Sequence, residues 1–246
     1  MSVVHEKIKG FLTGATPQER DLAEYSLSFT DSPDRTLYQG PLNFTYNRAK
    51  FAISVFVKRD ALASQTIVSK FSSSREFRLG FSGNIPWFES SADGAGADGR
   101  VYGTTNVADT TDFHHLVLHF DRAHPTSSEK LRLWVDGVRE SDGSGYIAPT
   151  ADVFSSIAEL CLGGLISTHS LGFTGLIYQC AFFSGTTPHP RFLRNADGSP
   201  RDVRKINGLV MLASAEGGNA LVDGKLATNW IQGYSDLVTA SSTIPT

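Results

Sequence analysis

Cysteine is scarce in this chain, with two among 246 residues. That excludes a disulfide scaffold and a four-cysteine zinc site. An excess of one charge is also missing: 22 Lys and Arg stand against 25 Asp and Glu, a net charge of -3. Such a balance excludes a nucleic-acid partner and an acidic membrane surface. No window approaches the ~18 apolar residues of a transmembrane helix, so no membrane insertion is expected. Met1 to Gly10 holds His5, Glu6, Lys7 and Lys9 with no apolar stretch behind it, which reads as no signal peptide. The chain is then expected to fold first in a cytoplasm, with Cys161 and Cys180 as reduced, buried thiols. Gly-x-Ser-x-Gly, a phosphate loop and a dinucleotide fingerprint in its strand-helix context are all absent.

What is present suits a β-rich globular domain. Hydrophobic residues make up 40% and charged residues 19%, enough for a core and too apolar for a disordered chain. Sixteen Phe and 23 Gly are the balance of short strands and tight turns. At 246 residues the chain holds one large domain or two small ones.

The period of the sequence changes near residue 25. Before it, Val3, Val4, Ile8, Phe11 and Leu12 fall at helical spacing, and Thr16, Pro17 and Glu19 make a helix start. Residues 1–24 therefore read as a helical N-terminal arm. From Tyr25 the pattern alternates. It predicts strands over Tyr25–Phe29, Phe51–Lys58, Thr66–Phe71, Glu76–Phe81, Phe113–Asp121, Leu131–Asp136, Glu159–Leu165, Phe173–Phe183 and Ile206–Leu212. Asp136-Gly137 between apolar runs predicts a two-residue hairpin turn. Asp93 to Gly99 reads as a loose loop, Pro188 to Arg204 as a long polar connection, and residues 232–246 as a Ser/Thr-rich tail. The expected fold is all-β, a two-sheet antiparallel jelly-roll sandwich over residues 25–231.

Several segments of that span resemble one family in order and spacing. Phe51 to Arg59 resembles its aromatic strand ending in Lys-Arg, with Phe56 where Trp is common. Phe113 to Asp121 resembles its His-containing strand, and Lys130 to Gly137 the strand that ends in an Asn-Gly turn, with Asp136 for Asn. Leu162 to Gly164 and Phe173 to Phe183 resemble its later glycine-punctuated strands. These are the concanavalin A-like, laminin-G-like jelly rolls, most similar to those in virions of tailed bacteriophages. The resemblance implies a non-enzymatic virion structural protein, a capsid decoration or a tail or fibre component, that can also bind host-surface glycans. It implies a virion location after assembly in a host cytoplasm. Other virion proteins, reached through the arm, and further copies of the chain are the implied partners. The alternatives are a carbohydrate-binding lectin module for host recognition and a polysaccharide-cleaving enzyme.

Glucanases of this fold carry paired carboxylates on one strand face, as Glu-x-Asp-x-Glu. No such motif occurs; Glu140 and Asp142 come nearest and lie just past the predicted turn. No catalytic residue is therefore expected. His114, His115 and His119 cannot share a zinc, because His115 and His119 would sit ~13 Å apart on one strand face. Asp93, Asp98 and Asp109 are loop carboxylates of the kind that hold calcium, the one cofactor to consider. Sugar binding needs aromatic faces beside planar hydrogen-bonding groups. Trp87, Tyr102 and Tyr146, with Asn84 and Asn106, are the candidates, each also open to a packing role.

Overall fold

The computed structural model describes residues 26–29, 37–39, 46–71, 75–143, 145–154, 160–165, 171–216, 219–220, 230–232 and 239–241. The expected helical arm, 1–24, lies outside the described residues. The chain begins with β1 (Ser26–Phe29), β2 (Leu37–Gln39), β3 (Lys50–Arg59), β4 (Gln65–Phe71) and β5 (Arg75–Ser82). It continues through β6 (Ile85–Ser90), β7 (Gly99–Tyr102), β8 (His114–Asp121), β9 (Leu131–Val135) and β10 (Val138–Arg139). It closes with β11 (Leu160–Leu162), β12 (Gly175–Ser184), β13 (Leu209–Glu216), β14 (Asn219–Ala220), β15 (Trp230–Gln232) and β16 (Thr239–Ser241). Among the described residues the helical turns are two short 3-10 segments, Ser127–Glu129 and Pro190–Phe192.

These strands form two antiparallel sheets, an all-β jelly-roll sandwich. The first runs β10-β9-β8-β3-β12-β1-β16, with β13 also beside β12 and β14 beside β13. The second runs β15-β2-β11-β4-β5-β6-β7. Thr239–Ser241, expected in the tail, instead pairs with β1, Ser241 opposite Ser26. The predicted strand Glu159–Leu165 is shorter, Leu160–Leu162. Cys161 and Cys180 are buried, lie on different sheets and form no disulfide.

Alternation explains the core. Phe51, Ile53, Val55 and Val57 of β3 point inward, beside Leu116, Leu118 and Phe120 of β8. On β12 the parity changes from Ile177 to Cys180 and Phe182, because the register slips between Ile177 and Gln179. Phe51 stacks on Phe120 at 4.8 Å and on Phe182 at 5.3 Å. Phe77 and Phe88 meet it from the other sheet at 5.9 and 6.4 Å. Each buried Phe contributes about 1.5–3 kcal/mol over exposure.

The first sheet also buries its outer face. Residues 184–208, expected to include a polar connection, form a strap across it. Leu193 and Val203 of the strap, with Leu209, pack on Ala52, Val117, Trp134, Ala181 and Phe183. Two buried histidines sit beneath. His119 Nε2 lies 2.9 Å from Pro188 O, and its ring packs on Trp134 at 4.2 Å. His115 stacks on Phe56 at 4.0 Å and shares a 2.9 Å hydrogen bond with Ser54. His114, expected on the core face, is instead held at the strand end between two carboxylates. Burial pushes the pKa of both His115 and His119 from 6.5 down to about 3. Their contribution to stability is complete above pH 6.5 and shrinks as pH falls towards 3, because the unfolded chain then binds more protons. Urea unfolding at pH 7, 5.5 and 4 should show falling stability; equal stability at pH 4 and 7 would refute this account.

The Asp136-Gly137 hairpin forms as expected. Val135 pairs with Val138, and both turn residues have positive φ, 51° and 81°. That is the type I′ pattern. Gly94 in the expected loose loop also has positive φ, 85°, so it is no neutral comparison. Gly96 is, since nothing stands within 4 Å of an added Cβ. Gly137→Val should therefore destabilise the domain by about 1–3 kcal/mol, and Gly96→Val by less than about 0.5 kcal/mol. Thermal melting of the two variants checks this contrast.

Candidate functional site

On the second sheet β5, β6 and β7 run side by side, and their outward residues range from buried Trp87 and Glu89 to half-buried Arg100 and Tyr102. Phe77, Leu79 and Phe81, with Phe88 and Val101, take the core side of these strands, so their alternate residues face out. Register then sets two rows. Arg78, Glu89 and Arg100 stand opposite one another in the first. Gly80, Trp87 and Tyr102 form the second. Gly80 is required here because a Cβ would lie 2.1 Å from Gln65 O of the neighbouring strand.

The rings of Trp87 and Tyr102 stack at 6.2 Å and 27°. Trp87 is 7% exposed, and Tyr102 is half-buried. The Arg78 guanidinium lies over Trp87 at 4.9 Å and over Phe71 at 5.4 Å. Its Nε donates to Glu89 Oε1 at 2.9 Å, and its terminal nitrogen also meets that oxygen. Arg100 reaches Glu89 Oε2 only at 3.5 Å. β6 and β7 were not among the predicted strands. Pro86 inside β6 argues against a strand, and β7 has only four residues. Arg78 and Arg100 carried no motif; only their register with Glu89 reveals them.

The other candidates fall elsewhere. Asn84 lies in the turn before β6, its side chain accepting from Arg59 at 3.4 Å, while exposed Asn106 precedes Val107, whose N–H donates to Asn84 O. Tyr146 packs against the core and donates to Ser127 O at 2.7 Å. The three carboxylates read as calcium ligands do not converge. Asp93 accepts from Ser91 Oγ and from the N–H groups of Ala95 and Gly96, and Asp98 from Ala92 N. Both close the loop after β6. Asp109 lies beyond the other end of that six-residue strand, about 20 Å away. Among the described residues, no group of three or more His, Cys, Asp or Glu is placed to hold a metal.

Arg59 organises the rim around Asn84. It shares the inward phase of β3 with Phe51 and Val57, a parity signal readable in the sequence but missed. Its guanidinium lies 4.1 Å from the Phe81 ring centroid. Its donors meet Gln65 Oε1, Asn84 Oδ1 and the carbonyls of Val107, Ala63 and Gly83. All five partners are neutral oxygens, and burial lowers its pKa from the ordinary arginine value.

Three carboxylates are committed to partners, while burial raises the pKa of Asp142, beside Tyr102. Glu89 meets two arginines. Glu140 accepts from the N–H and hydroxyl of both Thr104 and Thr105, and Asp121 pairs with Lys50 at 2.7 Å. The arrangement is suited to presenting rings and guanidinium groups to a ligand.

Residues 35–189 match the model of the concanavalin A-like lectin/glucanases superfamily, laminin-G type. The chain belongs to that superfamily. Among curated proteins, none matches it by sequence. Two solved structures share its fold. One is a Bacteroides ovatus protein described as carbohydrate binding, 14% identical, with a TM-score of 0.57 over 81% of this chain and 54% of that one. The chain thus spans about half the length of that protein. The other is the heptameric pentraxin of Limulus polyphemus, 10% identical, with a TM-score of 0.54 over 86% of this chain and 94% of that one.

In this concanavalin A-like domain a second charged cluster ties the hairpin to the loop before β8. His114 Nδ1 lies 2.7 Å from Asp136 Oδ2, and Nε2 lies 2.6 Å from Asp109 Oδ2. Asp136 Oδ1 also accepts from His115 N at 2.8 Å. The hydrogen bond to Asp136, aided by Asp109, raises the His114 pKa from 6.5 to about 9 despite partial burial. Its contribution is full below pH 6.5, shrinks above that, and is lost as pH passes about 9. A melting profile from pH 6 to 10 should fall on its alkaline limb, and His114→Gln should flatten that limb. An unchanged limb in the variant would refute the clamp.

Proposed function

We propose that this chain is a non-enzymatic structural component of a bacteriophage virion that binds glycan on the Trp87–Tyr102 face. The stacked aromatic pair on the outer face of the second sheet carries the binding reading. A sugar ring presents C–H groups to an aromatic face, and the part-exposed Tyr102 ring offers one. The commitment of Glu89 to two arginines and of Glu140 to four donors supports binding without cleavage. The virion role rests on the resemblance of residues 25–231 to phage jelly rolls. Under this reading, the arm at 1–24 joins the domain to other virion proteins and to copies of itself.

Tyr102→Ala should weaken oligosaccharide binding about tenfold in calorimetry, with little change in melting temperature, since the ring is half-exposed. Unchanged affinity would remove this face from the reading. Laminarin, agar and alginate incubated with the protein should yield no new reducing ends or unsaturated products. Deleting residues 1–23 should leave the domain folded but absent from purified particles. Turnover abolished by a single carboxylate substitution would overturn the non-enzymatic assignment, and normal incorporation of the truncated chain would overturn the role of the arm.

A further inference from the structure

We infer that the Trp87–Tyr102 face selects acidic sugars, with Arg100 as the group that takes their carboxylate or sulfate. The inference rests on the glycan-binding reading and adds a ligand class to it. The two arginines flanking Glu89 are unequally used. Arg78 is spent: two of its nitrogens meet Glu89 Oε1, and its plane lies against Trp87 and Phe71. Glu89 itself is covered, its side chain 4% exposed. The carboxylate that would repel an anion is thus sunk beneath the face and neutralised by Arg78.

Arg100 is different. Its side chain is 31% exposed, and its contact with Glu89 Oε2 is 3.5 Å, longer than an ordinary N–H···O bond of about 2.7–3.2 Å. Its Nε is buried with no hydrogen-bond partner. An unsatisfied buried donor on a cation is costly and is relieved by any acceptor that can reach it. Cross-strand register places Arg100 diagonal to Trp87 and two residues before Tyr102 on the same face. A sugar ring stacked on the part-exposed Tyr102 would therefore hold a substituent near this guanidinium. Guanidinium recognises planar or multi-oxygen anions through paired N–H donors, which fits a uronate carboxylate or a sulfate ester and not a lone hydroxyl.

The test measures binding of the full chain by calorimetry to three probes: oligogalacturonate, carrageenan-derived sulfated oligosaccharide and neutral laminari-oligosaccharide. The expected result is at least about tenfold tighter binding of one acidic probe than of the neutral one. That preference should weaken as salt is raised, since the added attraction is ionic. Whichever acidic probe binds identifies carboxylate or sulfate as the group taken. Arg100→Gln should bring acidic and neutral probes to equal affinity, and Arg100→Lys should retain part of the preference. Equal binding of acidic and neutral probes by the unsubstituted chain would overturn the inference and leave the glycan reading standing. So would a preference that survives Arg100→Gln. Binding of none of the three probes would overturn both.

Discussion

The contact on which the molecule depends is the aromatic stack between its sheets. Phe51 lies flat between Phe120 and Phe182 of its own sheet and is met by Phe77 and Phe88 from the other. No disulfide joins the two cysteines, so closure of the sandwich rests on such packing. Rings stacked this closely leave little freedom in how the sheets face each other, because interiors are packed at crystal-like density. Once the inner faces are joined, the two outer faces take opposite roles. One is sealed by the strap at 184–208 over Trp134 and Val117. The other keeps Tyr102 and Arg100 part-exposed.

The charged row on that second face differs from the carboxylate pair that glycoside cleavage uses. Hydrolysis of a glycoside needs two carboxyl groups at controlled separation, one of them protonated. The row Arg78–Glu89–Arg100 places one carboxylate between two cations, which occupy both its oxygens. A group so held is a poor acid and a poor nucleophile. It is well suited to fixing Arg78 over Trp87, which stiffens the platform a ligand would meet.

Much of the sandwich was legible because alternation is a strong signal where one face is buried. The strands β3, β8, β9 and β12 announced themselves by apolar residues two apart, and the hairpin by Asp-Gly. The strap was not legible, since Leu193 and Val203 have no regular period and gain meaning only against a sheet the sequence cannot display; Ile206, read as the start of a strand, lies before β13, which begins at Leu209. β6 was hidden by Pro86 and β7 by its brevity, so Trp87 and Tyr102 were chosen by residue type while their pairing and the arginine row went unseen. The acidic loops misled for a physical reason. Asp93, Asp98 and Asp109 use on backbone N–H groups the same oxygens that would ligate calcium, and sequence does not separate the two uses.

Arg59 gives the two ends of the sandwich different tolerance for change. Its guanidinium draws Ala63, Gly83 and Val107, from three separate loops, onto one buried group. Lengthening any one of them would withdraw an oxygen from a buried charge, so the lengths of these loops are coupled. The loop at 92–98 is closed by Ser91, Asp93 and Asp98, and among the described residues its ties to other segments are confined to Ser91, which bonds Glu76 O and Phe154 N. Insertions, peptide grafts and natural length variation belong there, at the far end of β6 from the coupled rim.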